Sequence, residues 1–74
     1  MVTEETVRAV IGRLFGNLDV ASMPADGSFK EYGLDSLDQY SLIVEMQTRT
    51  GRDVPDQDVD KLVSIQAVVT YFSK

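Results

Sequence analysis

Seventy-four residues carry twelve acidic and seven basic side chains, a formal charge of −5, with no histidine and no cysteine. A chain of this length makes one small domain, residues 1–74, that buries only about 60 % of its unfolded surface. The usual general base, the thiol nucleophile, the disulfide and the imidazole or thiolate metal ligand are all absent, and the negative charge disfavours phosphate backbones and anionic membranes.

A self-contained enzyme is therefore not expected, nor are nucleic-acid or membrane partners; the charge suits a protein partner with a basic surface. Residues 1–10 lack the apolar core of a signal peptide, and no run approaches the ~20 apolar residues of a membrane span. The expectation is a soluble, cytoplasmic monomer.

Thr3 is placed to cap a first helix whose first turn carries Glu4 and Glu5, where the helix dipole favours negative charge. Val7, Val10, Ile11, Leu14 and Leu18 recur at helical spacing, which predicts a helix ending near Gly16 or Asn17. From Asp19 to Lys30 the turn formers Pro24, Asp26, Gly27 and Ser28 read as a long connecting loop. Phe29, Tyr32 and Leu34 are candidate anchors for it, and Gly33 frees the backbone to turn before the next helix.

Helix two begins at Asp35 or Ser36, either a good N-cap, and runs to about Thr50 before Gly51 stops it. At 100° per residue Leu42, Ile43 and Met46 share a face suited to the core, while Leu37, Tyr40 and Val44 fall nearly opposite. One helix cannot bury both faces in so small a core. The second stripe, bordered by Asp38 and Glu45, is read as a partner-facing strip, against the plainer alternative that Tyr40 and Val44 pack under the long loop. Pro55 opens a single turn through Asp60, and Ser64 caps a last helix in which Ile65, Val68, Val69 and Phe72 are spaced for burial. The fold class is all-α: a small four-helix bundle of three longer helices and one short helix, with a long loop between helices one and two.

Most apparent sites dissolve on inspection. Asp56, Asp58 and Asp60 match the first positions of a calcium loop, but Lys61 stands where its glycine belongs and Ala67 where its closing glutamate belongs, so no metal site is assigned. Gly12, Gly16 and Gly27 stand alone and form no phosphate loop; Arg49 and Arg52 lack the aromatic interleaving of a nucleic-acid surface. Ser36 has no histidine to activate it, so no catalytic residue is assigned either, and on the residues alone it is a helix cap.

The stretch GLDSLD, Gly33 to Asp38, resembles the modification motif of acyl carrier proteins, and the first helix, the long loop with Phe29 just ahead of YGLDSLD, the VPDQDVDKL turn and the closing SIQAVVTYF helix follow the family's order and spacing over nearly the whole chain. The resemblance implies that Ser36 receives 4'-phosphopantetheine from coenzyme A by the action of a phosphopantetheinyl transferase. A carrier serine need not activate itself, and the working thiol arrives with the arm, so the missing cysteine is no obstacle. The resemblance further implies acyl thioesters passed between acyl-loading and acyl-processing enzymes with basic docking surfaces. Recognition would use Asp35, Leu37, Asp38, Tyr40, Val44 and Glu45.

The chain departs from the fatty-acid-synthesis carriers, which usually have further glutamates where it has Ser41, Gln47, Thr48 and Arg49. Asp35, Asp38 and Glu45 against Arg49 leave helix two with a net charge of −2, and Tyr40 is larger than the small aliphatic residue often found there. Together these suggest a specialised pathway, polyketide or unusual acyl, over the housekeeping fatty-acid carrier. The alternatives are a peptidyl or aminoacyl carrier, which commonly shows Gly-Gly-(His/Asp)-Ser instead, and an unmodified helical adaptor.

Overall fold

The computed structural model describes residues 2–73, and among them every regular element is helical: α1 (Glu4–Leu14), α2 (Ser36–Thr50), α3 (Asp56–Val59) and α4 (Ile65–Phe72), with two 3-10 turns at Val20–Ser22 and Phe29–Tyr32. The protein is a small helical bundle in which α1 packs against both α4 and α2.

Thr3 caps α1 by accepting the Thr6 N–H at 3.2 Å, and Val7, Val10 and Ile11 point into the core. The helix stops earlier than its apolar spacing suggests, at Leu14, with the Phe15 N–H closing on the Ile11 carbonyl at 2.8 Å. Phe15 leaves helical geometry (φ −130°, ψ 74°) and lays its ring against the core beside Leu18. Leu14, expected inside, is consequently 38 % exposed.

The long loop is better ordered than its composition implies. The Arg8 guanidinium binds Glu4 and also donates to the Val20 carbonyl at 2.6 Å, tying the first 3-10 turn to α1. Met23, Phe29 and Leu34 are buried, with Tyr32 half-buried against them. Gly27 is required by close approach, since a Cβ there would meet Pro24 and the Tyr32 ring at 2.9 Å each. Two backbone bonds, Phe29 N–H to Val63 O and Gln66 N–H to Ala25 O, both 2.8 Å, fasten the loop to the start of α4. The loop is thereby a fixed platform leading into α2 rather than a slack connection.

The remaining boundaries follow ordinary capping chemistry. Gly51 ends α2 in the left-handed region (φ 72°) with its N–H on the Gln47 carbonyl at 2.8 Å, a geometry that glycine adopts without a Cβ penalty. Pro55 precedes α3, and Ser64 caps α4 by accepting the Ala67 N–H at 3.1 Å. Ile65, Val68 and Phe72 of α4 meet Leu42, Ile43 and Met46 of α2 in one cluster, with Val69 only half-buried. Burying each of these side chains stabilises the fold by about 1.5–3 kcal/mol, most of which the ordering of the chain offsets.

Candidate functional site

The bend at Gly33 (φ 90°) delivers the chain into the start of α2. There Asp35 is the N-cap: its Oδ1 accepts the Asp38 N–H at 2.9 Å while the Asp38 Oδ2 accepts the Asp35 N–H at 3.3 Å, a reciprocal capping box. The sequence left the cap open between Asp35 and Ser36, and the structure gives it to Asp35.

Ser36 is therefore the first residue inside the helix, and reading it as a cap is corrected. Its side chain is exposed, and its hydroxyl has no hydrogen-bond partner among the described residues. The N–H groups of Ser36 and Leu37 likewise meet no protein acceptor there, because the cap serves Asp38 and the Asp35 carbonyl takes the Gln39 N–H at 3.0 Å. An exposed, uncommitted hydroxyl stands beside two free backbone donors at the positive end of a 15-residue helix.

One shallow groove runs from Ser36 between α2 and α3, lined by Lys30, Gln39, Tyr40, Val59, Asp60 and Val63; a second, beside Gly33 and Leu34, shares Lys30 and Ser36. Gln39 is buried, and its side-chain amide donates to the Val59 carbonyl at 3.0 Å, which ties α3 to α2 along the first groove. Sequence reading singled out neither Gln39 nor Lys30. For Gln39 a signal existed, a polar side chain one turn ahead of Leu42 and Ile43 on the buried face; for Lys30 no periodicity marks it.

The proposed recognition strip faces solvent. Leu37 is 73 % exposed, Tyr40 49 % and Val44 40 %, so the alternative in which Tyr40 and Val44 pack beneath the loop is overturned. Ser41 and Thr48 on α2 turn their hydroxyls back to the Leu37 and Val44 carbonyls, each at 3.1 Å, so they offer little outward polarity. Asp38 is half-buried and engaged in the cap, while Glu45 binds Arg49 at 3.0 Å. The acidic border is weaker than its residue count suggests.

The aspartates from Asp56 to Asp60 do not converge. Asp58 accepts the Tyr71 hydroxyl at 3.0 Å and pairs with Lys61 at 3.4 Å, and among the described residues no three His, Cys, Asp or Glu side chains are grouped to hold a metal ion. Burial, the hydrogen bond to Asp58 and that carboxylate's charge raise the Tyr71 pKa above its usual value, while Arg52 opposes them.

A family model described as a phosphopantetheine attachment site matches residues 5–72. The chain belongs to the acyl carrier protein family. Its similarity to the proteins named acyl carrier protein from Helicobacter pylori strains G27 and HPAG1 and from Helicobacter acinonychis strain Sheeba is 35 % identity over 72 residues, 96 % of this chain and 91 % of each of theirs.

Acyl carrier proteins are carriers and not enzymes, and their prosthetic group is a covalent 4'-phosphopantetheine. The residues at the start of α2 fit such a group. A phosphodiester needs a hydroxyl for attachment and hydrogen-bond donors near it, and this end of the helix has both. No helix of the described residues is long and apolar enough to cross a membrane.

Proposed function

We propose that Ser36 is the attachment point of the 4'-phosphopantetheine arm and that the protein carries acyl groups as thioesters on the arm's thiol, the group's own chemistry, between enzymes of a specialised pathway. The observation that carries this reading is the hydroxyl of Ser36, exposed and without a partner among the described residues because Asp35 does the capping. Carrier chemistry asks of the polypeptide only that the hydroxyl be accessible and that the resulting anion be tolerated; the transferase supplies activation.

Recognition is assigned to Asp35, Leu37, Asp38, Tyr40, Val44 and Glu45, supported by the exposure of Leu37, Tyr40 and Val44 along one side of α2. The phosphopantetheinyl transferase and the acyl-loading and acyl-processing enzymes would meet this strip with basic surfaces. The specialised pathway rests on the sparse acidity of α2, made sparser by the Glu45–Arg49 pair, and on Tyr40, a bulky residue at the centre of the strip. An acyl cargo in place of an aminoacyl one is favoured by the similarity to proteins named acyl carrier protein. The chain is read as one carrier domain working as a cytoplasmic monomer.

Incubation with coenzyme A and a broad-specificity phosphopantetheinyl transferase tests the reading. The intact mass should rise by one phosphopantetheine in the native chain and not in Ser36→Ala. An unmodified helical adaptor would gain nothing in either, and parallel loading with acyl and aminoacyl donors separates an acyl carrier from a peptidyl one.

A further inference from the structure

The two carboxylates of the capping box flank Ser36 on either side in the chain. A phosphodiester attached there enters a field already set by Asp35 and Asp38, and fixed negative charges near an anion raise its energy unless a cation compensates. Lys30 is the one basic side chain lining the two grooves that border Ser36.

Among the other described basic residues, Arg13 is also without a partner but lines a separate groove along α1 with Thr3 and Ala9, away from Ser36, and the remaining four are occupied. Arg8 is paired with Glu4, Arg49 with Glu45 and Lys61 with Asp58, and Arg52 donates to the Tyr71 carbonyl at 2.9 Å. Lys30 has no ion pair or side-chain hydrogen bond among the described residues, although Glu31 adjoins it in the chain. Its backbone is nonetheless fixed: the second 3-10 turn is anchored by the buried Phe29, and the Lys30 carbonyl accepts the Gly33 N–H at 3.3 Å just before the bend toward Ser36.

We infer that Lys30 is a positioning residue for the prosthetic arm, its ammonium pairing with the phosphodiester on Ser36. This rests on attachment at Ser36. The lysine offsets Asp35 and Asp38 and draws the root of the arm toward the groove that Lys30 and Ser36 both line. A lysine suits this task because its long stem lets a point charge follow a singly charged phosphodiester without demanding a fixed fork geometry. No bond to the arm is made or broken by it.

The test uses chains converted to the phosphopantetheinylated form with excess transferase, with complete loading verified by intact mass. The phosphorus resonance of the phosphodiester is recorded for the native chain, Lys30→Gln and Lys30→Arg at low and high salt, and the lysine ammonium nitrogens of the native chain are recorded before and after loading. The pairing predicts that the Lys30 ammonium resonance moves on loading while that of Lys61 does not. It also predicts that the phosphorus resonance shifts in Lys30→Gln, returns toward the native position in Lys30→Arg, and that the difference shrinks as salt screens the pair. A fully loaded Lys30→Gln chain with the native phosphorus resonance at low salt overturns the inference, as does an unmoved Lys30 ammonium in the native chain. A native chain that gains no mass removes attachment itself, a different failure seen before any resonance is recorded.

Discussion

Asp35 and Asp38 exchange hydrogen bonds across the first turn of α2, each carboxylate accepting the other's backbone N–H at 2.9 and 3.3 Å, and this exchange leaves the serine between them without a structural task. A helix start needs a side chain to satisfy its free donors, and a carrier needs an exposed hydroxyl; placing the two demands on adjacent residues allows both to be met.

The division of labour predicts unequal costs. Asp35→Ala should lose about 0.5–2 kcal/mol of stability, the usual cost of deleting a cap. Ser36→Ala should stay within about 0.5 kcal/mol of the native chain, as an exposed substitution that removes no hydrogen bond does. Urea titrations of both variants check this, and equal losses would return the capping role to Ser36.

Gln39 is a second place where a single bond has a readable consequence. Replacing it with Leu deletes the donor to the Val59 carbonyl, and a half-buried acceptor left unpaired costs about 1–3 kcal/mol. Hydrogen exchange should quicken in α3, residues 56–59, more than in α1. Uniform quickening across the bundle would show that the amide contributes only to general packing.

The exposed strip predicts effects on partners without effects on folding. Leu37→Ser and Tyr40→Ser should leave the unfolding midpoint within about 0.5 kcal/mol of native yet raise the KM of an acyl-loading enzyme. Arg49→Gln frees Glu45 from its 3.0 Å partner and should speed encounter with a basic enzyme at low salt, with the gain fading at high salt. Stopped-flow association rates across a salt series measure it; a salt-independent change would place the effect outside long-range attraction.

Tyr71 gives a pH dependence of definite sign. Its pKa is raised above 10.0 in the folded protein, so the folded state holds the phenolic proton more tightly than the unfolded chain does. The associated stability is fully present below the unfolded pKa and is lost as pH rises through the folded one. Between pH 8 and 11 the stability difference between the native chain and Tyr71→Phe should therefore hold up to about pH 10 and decline above it. A difference that grows with rising pH would contradict the assignment.

The core of α2 could be read from the chain because Leu42, Ile43 and Met46 repeat at the helical period, and so could the opposing strip, because Leu37, Tyr40 and Val44 share the remaining face. Periodicity has no power over segments shorter than a turn or two. Met23, buried inside the long loop, and the two 3-10 turns thus left no mark in the spacing. Leu14 fits the period of α1 but lies at its last residue, where Phe15 takes over the contact with the core. Between Asp35 and Ser36 the sequence offered two competent caps one residue apart, and only the backbone geometry, extended at Asp35 with ψ −176°, decides between them. The motif itself needed no geometry to be noticed; what the geometry adds is the reason its serine is available.

The most direct measurement is the intact mass of the folded native chain and of Ser36→Ala after exposure to coenzyme A and a competent phosphopantetheinyl transferase. A single phosphopantetheine on the native chain and none on the variant is the predicted result. An unmodified native chain, or a variant that still gains the arm, would contradict attachment at Ser36.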